Sequence, residues 1–372
     1  MFDWVIPFIV VLSVLIFVHE LGHYLVARRY GVRVETFSIG FGREIFGWTD
    51  RAGTRWKVSI LPLGGYVKMF GEMDFAEDED RPQLTPEEQS ESFHHKSLGK
   101  KAAIVFAGPA ANFLFAIVAL MAVFLSVGEP SPLSVVGTVQ DNSPAAAAGL
   151  RSGDEITAIE GQPVSLFEDI RLIVSDRPDM PTSIEIVRDE APQTLTATPR
   201  REVVSGGEEG GERAIGVIGI TPDLTRIGYS ELTPLQAVGA SVERTFGLTA
   251  QIITTIGDII TGSRSTEELG GPIRIAQLSG QMAEDGLVNL IFFMAALSVN
   301  LGLINLLPVP MLDGGHLMFY GLEAIRGKPV SPRLLEYCFR FGLAFVLLLM
   351  VFATWNDIVN LKIFDFFKQL IS

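Results

Sequence analysis

The chain has 372 residues, 48% hydrophobic and 19% charged, with a mean hydropathy of +0.34; an average soluble domain carries about 25% charged residues. That composition excludes a disordered chain and an ordinary soluble enzyme. A formal charge of −14 gives no electrostatic reason to expect a nucleic-acid partner, and a single cysteine, Cys338, excludes an intrachain disulfide framework and a cysteine-based zinc cluster.

A bilayer core of about 30 Å takes roughly 20 mostly apolar residues in a helix. The first such run, Val5 to Ala27, is apolar until His19-Glu20-Leu21-Gly22-His23. It lacks a basic start, and Arg28-Arg29 follows it in place of a small-residue cleavage site, so it reads as a retained span and not a signal peptide. Arg33 to Met69 reads as strands and tight turns: Phe37–Gly42, Arg55–Leu61, a turn at Pro62–Gly65, then Tyr66–Met69. Gly71 to Ser92, with Glu77-Asp78-Glu79-Asp80, reads as a flexible solvated loop without chemistry. The second span, Ala102 to Val127, contains no charged residue.

Pro132 to about Arg201 reads as a small α+β domain. Strands are expected at Val135–Val139, Asp154–Ile159, Ser183–Val187 and Leu195–Ala197, with helices from Ser143 to Gly149 and from Leu166 to Val174. Val203 to Arg213 reads as a linker or surface hairpin. Thr233 to Gly262 is helical in pattern but contains Glu243, Arg244, Gln251 and Asp258, which are costly to bury in lipid. It is expected to lie on the membrane or to brace the next span. The third span, Leu287 to Leu312, is uncharged until Asp313; the fourth, Tyr337 to Trp355, carries only Arg340. The tail, Asn360 to Ser372, reads as an interfacial anchor.

Basic flanks fix the orientation. Arg28, Arg29 and Arg33 leave the first span, Lys96, Lys100 and Lys101 precede the second, and Arg326, Lys328 and Arg333 separate the third from the fourth. The positive-inside rule puts these flanks in the cytoplasm, and both termini and Gly128–Asp285 outside. The expected fold is therefore a polytopic α-helical membrane protein of about four transmembrane helices, with a β-hairpin on the cytoplasmic side and an inserted extracytoplasmic α+β domain. Its expected segments are residues 1–127, 128–202, 203–285 and 286–372.

The chemistry lies in the first span. His19 and His23, four residues apart, share one helix face and can hold a zinc ion, with Glu20 as general base toward water on that ion. Two histidines and a glutamate inside an apolar helix are costly unless a partner compensates them, and a divalent cation is such a partner. Haem ligation is disfavoured because axial histidines rarely come from one turn of one helix. Helix packing by uncharged groups, or a metal-ion or proton transport route through the same ligands, would also account for the motif. A catalytic zinc takes three protein ligands, and Asp313 is the best third candidate, with His316 as its rival. Pro308 and Pro310 end the third span before Asp313, and Gly314 and Gly315 allow close backbone approach.

Taken together, the zinc motif, Leu61–Met69, Ala107-Gly108-Pro109-Ala110-Ala111-Asn112-Phe113, Gly271-Pro272-Ile273 and Leu312-Asp313-Gly314 resemble the site-2 protease family of intramembrane zinc metalloproteases. Ser143-Pro144-Ala145 through Gly161 resembles a single PDZ domain of the bacterial protease-associated type. The resemblance implies His19, His23 and Asp313 as ligands of one zinc ion and Glu20 as catalytic base. It makes Arg55–Met69 a membrane-re-entrant β-loop that presents substrate, with Ile60, Leu61, Gly64 and Gly65 as contacts and Asn305 near substrate. It further implies a protein of the bacterial inner membrane whose zinc site lies toward the cytoplasm. The substrates implied are single-pass membrane proteins such as anti-sigma factors and remnant signal peptides, cleaved after an earlier cut by a site-1 protease, with the PDZ-like domain excluding bulky substrates.

Overall fold

In the computed structural model, which describes residues 4–72, 84–205, 212–263 and 270–360, the chain divides into two units. One comprises Met1–Val123 with Val238–Ser372, the other Phe124–Ala237.

In the first unit the apolar runs become helices α1 (Val5–Arg29) and α3 (Leu98–Val127), and later α8 (Leu287–Leu306) and α10 (Pro332–Asn360). Among the described residues these four are the helices long and apolar enough to cross a membrane. Arg28 and Arg29 occupy the last turn of α1, where cations suit the negative end of the helix dipole. The charged segment ahead of the third span forms helix α6 (Pro234–Thr261), followed by α7 (Pro272–Glu284).

Between α1 and α3 lie two long strands, β1 (Val34–Thr49) and β2 (Arg55–Met69), and a short helix, α2 (Pro86–Glu91). Within Arg55–Met69 the sequence suggests a hairpin, yet its two arms pair with β1 instead. Thr36–Ile39 faces Arg55–Val58 on one side and Gly65–Lys68 on the other, while Glu44–Thr49 faces Arg55–Ser59. The first half of β1 is thus inserted between the halves of β2. Pro62 has no amide proton to give a ladder, and Gly64, at φ +136°, takes the wide bend that carries the strand across. Val34, Phe37, Val67 and Met69 of this sheet bury against Ala27 of α1 and Ile104 and Val105 of α3. Phe37 stacks on Trp56 at 4.3 Å.

The acidic loop is only partly described: residues 73–83 lie outside the described residues, and 86–91 form α2 rather than loop. Thr85 and Glu88 cap this six-residue helix reciprocally; its polar composition hides it from hydrophobic periodicity.

The third span stops at Leu306, six residues short of the expected Leu312. Pro308 and Pro310 cannot continue the amide ladder, Leu307 is extended, and Met311 has φ +86°. Helix α9 (Asp313–Arg326) then begins on Asp313 itself. The fourth helix runs past the expected Trp355 and includes Asp357, only 3% exposed. The Asp357 carboxyl accepts the amides of Gly271 at 2.7 Å, Ile273 at 2.9 Å and Arg274 at 3.0 Å, and so caps the start of α7. This is the structural use of the Gly271-Pro272-Ile273 motif.

The second unit comprises β3 (Glu129–Pro132), β4 (Val136–Val139), α4 (Pro144–Ala148), β5 (Glu155–Ile159), β6 (Gln162–Pro163), α5 (Phe167–Ser175), β7 (Thr182–Arg188) and β8 (Ala191–Ala197). It continues through β9 (Arg200–Ser205), β10 (Glu212–Val217), β11 (Ile220–Pro222) and β12 (Ile227–Ser230). The central sheet runs β6-β5-β7-β8. Ile184 and Ile186 of β7 alternate inward with period two, and a register shift in β5 after Ile156 lets both Ile156 and Ile159 join them against Ile170 and Val174 of α5. β11 pairs with β4 and β12 with β3, so strands beyond residue 202 close onto the start of the unit. The expected boundary at 202 falls inside β9, because these pairings join segments about 80 to 100 residues apart, which no local pattern reveals.

Candidate active site

Helix α1 carries His19, Glu20 and His23, all buried although ionisable. The break after α8 delivers Asp313 to them. His19 Nε2 lies 3.2 Å from Asp313 Oδ2, His23 Nε2 3.6 Å from the same oxygen, and the two Nε2 atoms 3.3 Å apart. His316, the rival third ligand, packs its ring 4.9 Å from that of Phe339, and among the described residues the metal-competent group is His19, His23 and Asp313. At Gly314 an added Cβ would stand 2.2 Å from the Leu307 carbonyl oxygen, so the turn that presents Asp313 requires glycine.

Helix α3 lies beneath the imidazoles and addresses them through one stripe of residues, 104, 108 and 112. The His23 Nδ1–H donates to the Ile104 carbonyl at 2.9 Å. Gly108 leaves room for the His23 ring, since a Cβ there would sit 2.2 Å from Nε2. Asn112 Nδ2 lies 3.0 Å from His19 Nδ1. None of these roles is read from the sequence, although Asn112 stands out as a lone amide in an uncharged span.

The residues fit zinc. Ligands around a tetrahedral zinc at about 2.0–2.1 Å stand roughly 3.3–3.4 Å from one another, and the three edges measured here run from 3.2 to 3.6 Å. Asp313 Oδ2 is buried and faces the Nε2 atoms of both imidazoles, as an oxygen that shares a cation with them would. A set of three ligands leaves a fourth position for water or substrate.

The remaining expected site residues lie on the sheet and on α8. Gly65 passes against α1 so closely that a Cβ would be 2.6 Å from Ile16 Cγ2 and 3.1 Å from Glu20 Cγ. Gly64 forms the bend beside the Phe41 ring. Ile60 and Leu61 are exposed, with 59% of Ile60 accessible. Asn305 stands half-buried in the last turn of α8.

The model of peptidase family M50 matches residues 7–349. A protein of Agrobacterium fabrum, provisionally named zinc metalloprotease Atu1380, is 45% identical over 96% of this chain and 96% of its own length. The regulator of sigma-E protease RseP of Escherichia coli is 34% identical over 95% of this chain and 98% of its own. With the family model spanning nearly all the membrane-spanning helices, the chain belongs to peptidase family M50, the site-2 protease family of zinc-dependent metalloproteases.

Proposed function

We propose that this protein hydrolyses peptide bonds in or beside the membrane-spanning segments of single-pass proteins. One observation carries the reading: the triangle of His19 Nε2, His23 Nε2 and Asp313 Oδ2, closed to zinc dimensions among apolar helices. In this reading those three atoms hold the ion and Glu20 is the catalytic base. Bound zinc supplies a Lewis acid for the scissile carbonyl and acidifies the attacking water. Glu20 takes the water proton and passes it to the leaving amine.

A helical substrate hides its carbonyls in its own hydrogen bonds and must open locally, which is costly in lipid unless new partners are offered. The strand β2 offers them by taking the opened segment as an added strand, with Ile60, Leu61, Gly64 and Gly65 as contacts and Asn305 near the bound chain. The close passage of Gly65 by Glu20 supports this role. The unit 124–237 acts as a PDZ-like filter on the outer side and admits substrates already trimmed by a site-1 protease. Anti-sigma factors and remnant signal peptides are the substrates of choice, the membrane is the bacterial inner membrane, and the zinc site lies toward its cytoplasmic side.

Glu20→Gln tests the core of the reading. The variant in proteoliposomes should keep one zinc per chain and lose cleavage of a single-pass substrate; normal turnover would remove Glu20 from its role.

A further inference from the structure

Asn112 lies wholly buried in the middle of α3, 0% exposed, and its backbone carbonyl accepts the Ser298 hydroxyl of α8 at 2.9 Å. One end of its amide meets His19 Nδ1 at 3.0 Å, while Oδ1 has no hydrogen-bond partner. A half-turn of the amide would exchange the oxygen and nitrogen that face His19 Nδ1. Leucine has nearly the same shape and would avoid the penalty of an unpaired oxygen, so packing does not explain an asparagine here.

The two imidazoles are held differently. The Ile104 carbonyl can only accept, so His23 carries a proton on Nδ1, which leaves Nε2 as its nitrogen for coordination. His19 faces an amide that can donate or accept. With Nδ2 toward it, Nδ1 is the acceptor and the proton sits on Nε2, 3.2 Å from Asp313 Oδ2, so that the group holds together by itself. With Oδ1 toward it, the proton moves to Nδ1 and the Nε2 lone pair becomes available for coordination.

We propose that Asn112 is the positioning residue that sets the His19 tautomer, its amide turning over when the metal site is filled. The inference rests on His19 being a zinc ligand, and the test separates the two. Zinc alone is titrated into the metal-stripped full-length chain in detergent against a chromophoric chelator, for the unaltered chain, N112L, N112D and H19A. N112L should bind roughly 10- to 100-fold more weakly, the usual cost of losing an outer partner of a ligating histidine. N112D should stay within about threefold of the unaltered chain, because a carboxylate accepts Nδ1–H as in carboxylate–histidine–zinc arrangements.

Weakened H19A beside unweakened N112L overturns the Asn112 assignment alone, whereas unweakened H19A overturns the ligand reading. An equal loss in N112D and N112L shows that the donor end matters, and also overturns the assignment. A ¹⁵N spectrum of the imidazoles in the zinc-loaded unaltered chain needs no variant: His19 should be protonated at Nδ1, and a bare Nδ1 refutes the proposal.

Discussion

Gly108→Ala adds a single methyl to α3 and aims it at the site. Its carbon would stand 2.2 Å from His23 Nε2, whereas ordinary contact begins at 3.4 Å; the ring must therefore retreat by about 1.2 Å. It cannot do so freely, because its Nδ1 is tied to the Ile104 carbonyl one turn away on the same helix. The retreat changes the 3.3 Å and 3.6 Å edges that His23 shares with His19 and Asp313. Misplacement of a reacting group by about 1 Å costs on the order of 100-fold in rate, equivalent to about 2.7 kcal/mol of barrier. The assay measures zinc per chain and kcat/KM on a single-pass substrate, with Gly99→Ala as control. Gly99 lies in the first turn of the same helix with nothing within 4 Å of its added Cβ, so alanine there should leave the site untouched. Retention of full zinc and turnover by Gly108→Ala, or an equal fall in the control, would refute the argument.

Two further predictions concern stability, beside the expected retention of zinc and loss of cleavage in Glu20→Gln. Asp357→Leu leaves three amide donors of α7 without their acceptor and should lower stability in detergent by about 3–4 kcal/mol, given roughly 1.5–3 kcal/mol per bond to a charged group and incomplete additivity. Asp357→Asn, which keeps one acceptor oxygen, should lose less; an unaltered melting point for the leucine variant contradicts the capping role. In the second unit, burial alone would raise the Asp154 pKa, but the Arg188 guanidinium and the Arg151 amide hold it below the ordinary carboxylate range. Its contribution is therefore complete above the unfolded pKa of about 3.9 and is lost as pH falls through the lower folded value. Arg188→Met should speed hydrogen exchange across 136–197 at pH 7 and flatten the acid dependence of the unit's stability. An acid profile identical to that of the unaltered chain would refute this.

The sequence marks the candidate site wherever chemistry conflicts with surroundings. His19, Glu20 and His23 interrupt an apolar helix, and Asp313 follows two prolines that forbid the helix to continue; each is conspicuous because its cost in lipid demands a partner. Ile104 is invisible by the same logic, since it acts through a carbonyl that every residue possesses. Asn112 is visible as a polar intruder, but only the fold supplies its partner, 93 residues earlier in the chain. The strand-rich character of Arg33–Met69 follows from composition, while the insertion of one strand half between two others does not, because alternation specifies faces and not neighbours. Asp357 lies just beyond the apolar run that delimits the fourth span, and its three donors precede it by more than eighty residues.

That separation bears on how the protein is made. When Gly271, Ile273 and Arg274 leave the ribosome, the group that will quiet their amides has yet to be translated, and it arrives only with the closing turns of the last helix. Until then three amides at the start of α7 lack the carboxyl that accepts them in the folded protein. Completion of α10 supplies that acceptor, and a product cut short before residue 357 would lack it.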